Sequence, residues 1–362
     1  MRHPPDVLPA HIAELDFPLA PPVAAALTDA IERGDLGYAA ASRSALPEAF
    51  TGFAARRWGW DVDPEAVVAV PDVMVGVAEL LRLLTPPGAG VVVNTPVYPP
   101  FFSVIAETGR TVVEVPLLEA GADARLPLDG IRDAFAAGAR AMLLCNPHNP
   151  TGYVAGEEEL VELAAIVQAH DGLLLADEIH APLVHPGVRH VPIGTLRDVA
   201  QGSAISLTSA TKGWNLAGLK CGLAVASSER MRAALASLPV DIHDRVGHLG
   251  VVASTAAYAD GEQWLDELRG YLAETHRRLP ALLAERLPGV GYHPARASYL
   301  AWLGCRALGL GDDPAAHFLE HGRVALVPGP TFGPPGRGFA RLNVGTSWAL
   351  VEEAVGRMAS SL

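Results

Sequence analysis

Two patterns of apolar residues alternate along this chain. Short, mostly apolar runs occur at residues 67–70, 91–93, 111–115, 141–145, 173–176 and 204–207. Runs of this length without polar alternation are the mark of strands buried on both faces. Between and before them, apolar residues recur three and four apart at 23–32, 46–58, 73–84, 128–136 and 157–170. That spacing lays a single apolar stripe along a helix. Asp63-Pro64-Glu65 and Asp72 supply helix-start chemistry, while Gly34 and Gly37 close the first helix. Strand and helix in alternation predict an α/β fold with a mostly parallel central sheet and helices on both faces.

The pattern changes near Ser254. A long helical region at 261–287 is followed by apolar stretches at 299–303, 324–327 and 339–344 and by helices near 314–321 and 350–358. This predicts a smaller α+β domain. The expected division is an amino-terminal arm with part of the small domain over 1–40, a large domain over 41–253 and a small domain over 254–362. The proline-rich opening, through Ala13-Glu14-Leu15-Asp16-Phe17-Pro18, reads as an extended arm that docks elsewhere, and 94–101 as a proline-stiffened loop presenting Tyr98.

Composition narrows the function. Half of the 362 residues are hydrophobic, enough for a large core. A net charge of −13 argues against a nucleic-acid partner. Cys145, Cys221 and Cys305 have no metal or disulfide spacing, and His180, His185 and His190 lie five apart without a zinc-ligand pattern, so no metal is expected. No apolar run approaches the ~20 residues that span a bilayer, and the start has no apolar signal segment. The expectation is a cytoplasmic protein without a membrane partner.

Candidate chemistry sits just past the strand ends. Ser209-Ala210-Thr211-Lys212-Gly213 follows one run, with a second lysine at Lys220. The hydroxyls suit a phosphate. A lysine kept partly neutral by burial or a neighbouring cation is a nucleophile toward an aldehyde. One molecule carries both groups: pyridoxal 5'-phosphate (PLP). PLP also needs a carboxylate facing its ring nitrogen, and Asp177 ends an apolar strand where it could serve. Asn149, in a turn rich in proline, could donate to the ring hydroxyl, and Tyr98 could stack on the ring.

Asn146-Pro-His-Asn-Pro-Thr-Gly152, Asp177-Glu-Ile-His180 and Ser209-Ala-Thr-Lys212 resemble the fold-type I PLP enzymes of the class I/II aminotransferase group. More narrowly, they resemble its cystathionine β-lyase (C–S lyase) branch, the MalY/PatB type. Thr95-Pro-Val-Tyr-Pro-Pro-Phe101, Asn215-Leu-Ala-Gly218, Arg341-Leu-Asn343, Ala13-Glu-Leu-Asp-Phe17 and the loop around Tyr38 extend the likeness over nearly the whole chain. The resemblance implies that Lys212 bonds the aldehyde and acts as base, with Asp177 at the ring nitrogen, Asn149 at the ring oxygen and Tyr98 stacked as a second catalytic residue. It implies that Ser209, Thr211, Lys220 and the backbone N–H groups of Val73 and Met74 hold the phosphate, and that Arg341, with Asn149, binds the substrate carboxylate. Tyr38 would reach the phosphate of a second subunit, implying a homodimer with sites at the interface.

Some positions depart from the pattern. His180, also expected at the cofactor, stands where aminotransferases often carry tyrosine, which suits the lyase branch. Lys220 stands where arginine is frequent, and Glu14-Leu15 replaces the branch's usual Asp-Met. Asp72 replaces its usual glycine beside the phosphate, so its carboxylate must point away or cap the helix. The expected reaction is cleavage of cystathionine or a related cysteine S-conjugate to a thiol, pyruvate and ammonia. Transfer of the amino group to a 2-oxo acid, or other PLP chemistry in a biosynthetic pathway, is the alternative.

Overall fold

The computed structural model describes residues 3–39, 44–119, 121, 124–196, 202 and 204–362. The expected domain boundary at 40/41 lies outside the described residues. The arm contributes β1 (Leu8–Pro9). The central sheet is built from β2 (Val67–Val70), β3 (Gly90–Val93), β4 (Thr111–Glu114), β5 (Ala141–Cys145), β6 (Leu173–Asp177), β7 (Ala204–Thr208) and β8 (Gly222–Ala226). Its order is β2-β8-β7-β6-β5-β3-β4, and β8 alone runs antiparallel to its neighbours. The mostly parallel sheet expected from the sequence is therefore present. Strand β8 has no counterpart among the apolar runs read as strands, although all five of its residues are buried.

Alternate residues of the buried strands enter two different cores. Val91, Val93, Leu143, Leu175 and Leu207 pack on one face, against Val77 and Leu80 of helix Val73–Leu84 and Phe50 and Phe53 of helix Leu46–Trp58. Val92, Met142, Leu144, Leu174 and Ala176 pack on the other, against Ile131 and Phe135 of helix Leu128–Ala136 and Leu160 and Leu163 of helix Glu157–Ala169. The period of two along each strand thus sandwiches the sheet between helices. Close approach is required at Gly76, where a Cβ would lie 2.8 Å from the Leu207 side chain.

A third core lies under β9 (Leu300–Gly304), β11 (Val327–Pro328) and β12 (Phe339–Asn343), an antiparallel sheet of order β11-β12-β9. Strand β10 (Val324–Ala325) pairs in parallel with β1, tying the arm to this region. Helix Glu262–Arg286 joins two cores, with Leu265, Leu268 and Leu272 in the first and Leu279 and Leu283 in the third. Helix His248–Asp260 runs unbroken through residues 253 and 254, where a boundary was expected. Its Ala253 and Ala257 belong to the first core with the central sheet. The loop expected over 94–101 ends at Pro100, where helix Pro100–Glu107, absent from the sequence reading, begins with the proline that favours a helix start.

Candidate active site

The register aligns Cys145 with Asp177 and Asp177 with Leu207, so β5, β6 and β7 end at one level. Beyond that edge lies a cavity of about 200 Å³. Asp177 and Cys145 reach it from the sheet, Tyr98 and Asn149 from two loops, and Thr211, Lys212 and Lys220 from the segment after β7. Asp72, Val73 and Met74 close one end, and Ala13 of the arm, Ile179 and His180 complete it. Ligand sites in parallel α/β sheets form at this carboxyl edge.

Asp177 is 4% exposed and its Oδ1 accepts one hydrogen bond, from the Ile179 N–H at 3.1 Å. Burial raises its carboxyl to about 7, against lowering by that bond and by the charge of Lys212. Only that bond and the Lys212 charge offset its burial. The Lys212 ammonium is in turn destabilised, first by burial and then by the positive charge of Arg341, which moves its pKa down. Its Nζ donates to the Ala13 carbonyl at 2.8 Å. His180 is buried, burial lowers it to about 3, and its Nδ1 has no partner. It is therefore a neutral imidazole.

Arg341 lies beside the cavity. Its Nη1 donates to Asn149 Oδ1 at 3.1 Å and its Nη2 to the His11 carbonyl at 3.0 Å, while Nε has no partner. Burial lowers its pKa to about 10, and among the described residues no carboxylate pairs with it. A buried guanidinium left so is costly unless an anion completes it. The bond from Arg341 also orients the Asn149 amide, leaving its NH₂ for the cavity.

At the far end, Asp72 caps helix Val73–Leu84: its Oδ1 accepts from the Val75 N–H at 2.9 Å. Its Oδ2 lies 3.3 Å from Lys220 Nζ. Of the residues expected around a phosphate, Val73, Met74, Thr211 and Lys220 line the cavity. Ser209 does not. It is buried, its Oγ donates to the Cys221 carbonyl at 2.6 Å and accepts from the Thr211 N–H at 3.1 Å. The Cys221 carbonyl takes its proton while its oxygen caps the short helix Ala210–Gly213. Tyr38 is 93% exposed and outside the cavity lining.

The sequence reading missed how the arm becomes a wall. Asn215 accepts from Leu15 N–H at 3.0 Å and donates to Leu15 C=O at 2.7 Å. Asn343 donates to the carbonyls of Ile12 and Glu14, both at 2.7 Å, and the Tyr299 hydroxyl to that of Ala13 at 3.0 Å. Asn215 and Asn343 stood in recognised segments without a role. The available signal was an extended polar-backbone segment that needs side-chain partners.

A family model, aminotransferase class I and II, matches residues 12–358. The chain belongs to the aminotransferase class I and II family. A Mycobacterium leprae protein assigned as a cystathionine β-lyase is 43% identical over 99% of this chain and 93% of its own length. A cystathionine β-lyase of Corynebacterium glutamicum is 38% identical over 100% of this chain and 95% of its own. A crystal structure from Corynebacterium diphtheriae, assigned as a PLP-dependent β-cystathionase, superposes with a TM-score of 0.94 at 37% identity, covering 99% of this chain and 94% of the other.

The residues of this family member fit PLP. The buried Asp177, held by a single backbone hydrogen bond, can face a cationic ring nitrogen, Tyr98 supplies a flat ring, and the half-satisfied Arg341 awaits an anion. The helix start at Val73 and the Lys220 ammonium suit a phosphate. Among the described residues there is no group of His, Cys, Asp and Glu arranged to hold a metal ion, and no helix long and apolar enough to cross a membrane.

Proposed function

We propose that this protein is a PLP-dependent carbon–sulfur β-lyase that cleaves cystathionine or a related cysteine S-conjugate with water to a thiol, pyruvate and ammonia. The observation that carries the reading is that Lys212 and Asp177 face one cavity with Arg341 beside it. When bound, PLP supplies an electron sink for the carbanion at the substrate Cα. Arg341 binds the substrate carboxylate through its incompletely used guanidinium, and Asn149 holds that guanidinium in place. Lys212, whose ammonium is destabilised by burial, is available as the neutral amine that takes the Cα proton. Departure of the thiolate from Cβ follows, and the arm at Ala13 limits water at the reacting carbon.

His180 supports the lyase outcome: a neutral imidazole with an unpartnered Nδ1 replaces the phenol that aminotransferases often carry there. The names of the mycobacterial and corynebacterial relatives support the same outcome. Thr211 and Lys220 are assigned to the phosphate together with the Val73 and Met74 N–H groups. Tyr38, with Ile31 and Leu36 also exposed, is assigned to a surface covered by a second copy of the chain, where it reaches that copy's phosphate.

The test is incubation with cystathionine alone and with amino-acid and keto-acid pairs. Pyruvate and free thiol from cystathionine without an acceptor, abolished in Lys212→Ala, are expected. Amino transfer that requires a 2-oxo acid, without pyruvate from cystathionine, would refute the lyase reading.

A further inference from the structure

Lys220 adopts a left-handed backbone conformation, φ 56°, unusual for a residue with a side chain. The backbone is held there by the Gly247 N–H, which donates to its carbonyl at 2.9 Å. Two residues on, a Cβ at Gly222 would lie 3.1 Å from the backbone of Asp72 and Val73, so β8 packs directly under the helix start. This arrangement places Lys220 at the cavity end that is also lined by Asp72, Val73 and Met74, the start of the helix. Everything there suits a dianion except Asp72. Its carboxylate takes the N–H of Val75 with one oxygen and sits 3.3 Å from Lys220 with the other.

We propose that Asp72 is a resident counter-anion that weakens the hold of this site on the cofactor's phosphate. The inference rests on the reading of the cavity as a PLP site. An incoming phosphate must share Lys220 and the helix start with a negative charge already in place, so affinity is set below what the donors alone would give. The consequence is a protein whose loaded fraction follows the free cofactor concentration. The Asp72 and Lys220 side chains are 37% and 60% exposed, so water screens the repulsion and its effect is moderate.

The experiment titrates the full-length, cofactor-free chain with PLP and, separately, with pyridoxal, which has the aldehyde but no phosphate. Absorbance of the lysine-bonded aldehyde gives the dissociation constant. Asp72→Asn is the informative variant, since asparagine caps a helix as well as aspartate. Loss of one like charge at this range is expected to tighten PLP binding about tenfold and to leave pyridoxal unchanged. Lys220→Ala is expected to weaken PLP binding more in the Asp72→Asn background than in the native one, because the lysine is then no longer shared. PLP affinity unchanged or reduced in Asp72→Asn, or equal tightening of pyridoxal, would overturn the proposal while leaving the cofactor reading intact. Failure of the native chain to take up either compound would remove the cofactor reading and this proposal with it.

Discussion

Replacing Asp177 by asparagine sets stability against function, and the size of the conflict can be worked from the site. In the cofactor-free chain the Asp177 carboxyl rises from its ordinary 3.8 to about 7, chiefly because it is buried. Since the folded value exceeds the unfolded one, the stability it contributes is complete below pH 3.8 and is lost as pH rises through about 7. At 1.36 kcal/mol per pH unit the full loss is about 4 kcal/mol, of which about 2 kcal/mol is already gone at pH 5. The substituted amide cannot ionise, so Asp177→Asn is expected to be more stable than the native chain by about 4 kcal/mol at pH 8 and by about 2 kcal/mol at pH 5, converging near pH 4. Urea unfolding of both cofactor-free proteins from pH 4 to 8 measures the difference directly. Saturating PLP should reverse the order at pH 8, because a cationic ring nitrogen gives the native carboxylate the partner it lacks. A stability difference that does not change with pH, or a less stable Asp177→Asn at pH 8 without PLP, would refute the claim that this carboxylate is buried without compensation.

Two further substitutions probe the arm and the turn that carries Asn149. Asn215→Gly removes both bonds to Leu15 while tolerating the residue's φ of 59°. Two lost hydrogen bonds, about 2 kcal/mol in all, should speed amide exchange across residues 12–16 about thirtyfold. Unchanged protection would mean that the arm is held by other contacts. Gly152→Ala places a methyl 2.3 Å from the Ala295 Cβ at a φ of +70°. Overpacking and strain together should destabilise the fold by about 3 kcal/mol in denaturant unfolding, and a loss below about 1 kcal/mol would show that the 295–297 segment yields easily.

Periodicity indicated the strands of the parallel sheet and the helices at 46–58, 73–84, 128–136 and 157–169, and it put Asp177, Asn149 and Lys212 at or just past strand ends. Those features are local: a buried strand or a helix stripe is written within a few residues of itself. The Asp72 cap was legible for the same reason, since its acceptor oxygen meets the N–H three residues on. Strand β8 was not, because Gly222–Ala226 becomes a strand only by lying between β2 and β7. Nor was the role of Ser209, whose hydroxyl is claimed by a carbonyl twelve residues away. Arg341 meets Asn149 across 192 positions, and Asn215 meets Leu15 across 200. Partners so distant are chosen by how the chain doubles back over the sheet edge, and no repeat of apolar residues records that path. The residue types therefore announced the chemistry, while the fold alone decided which donors remain for a ligand and which are spent on the protein itself.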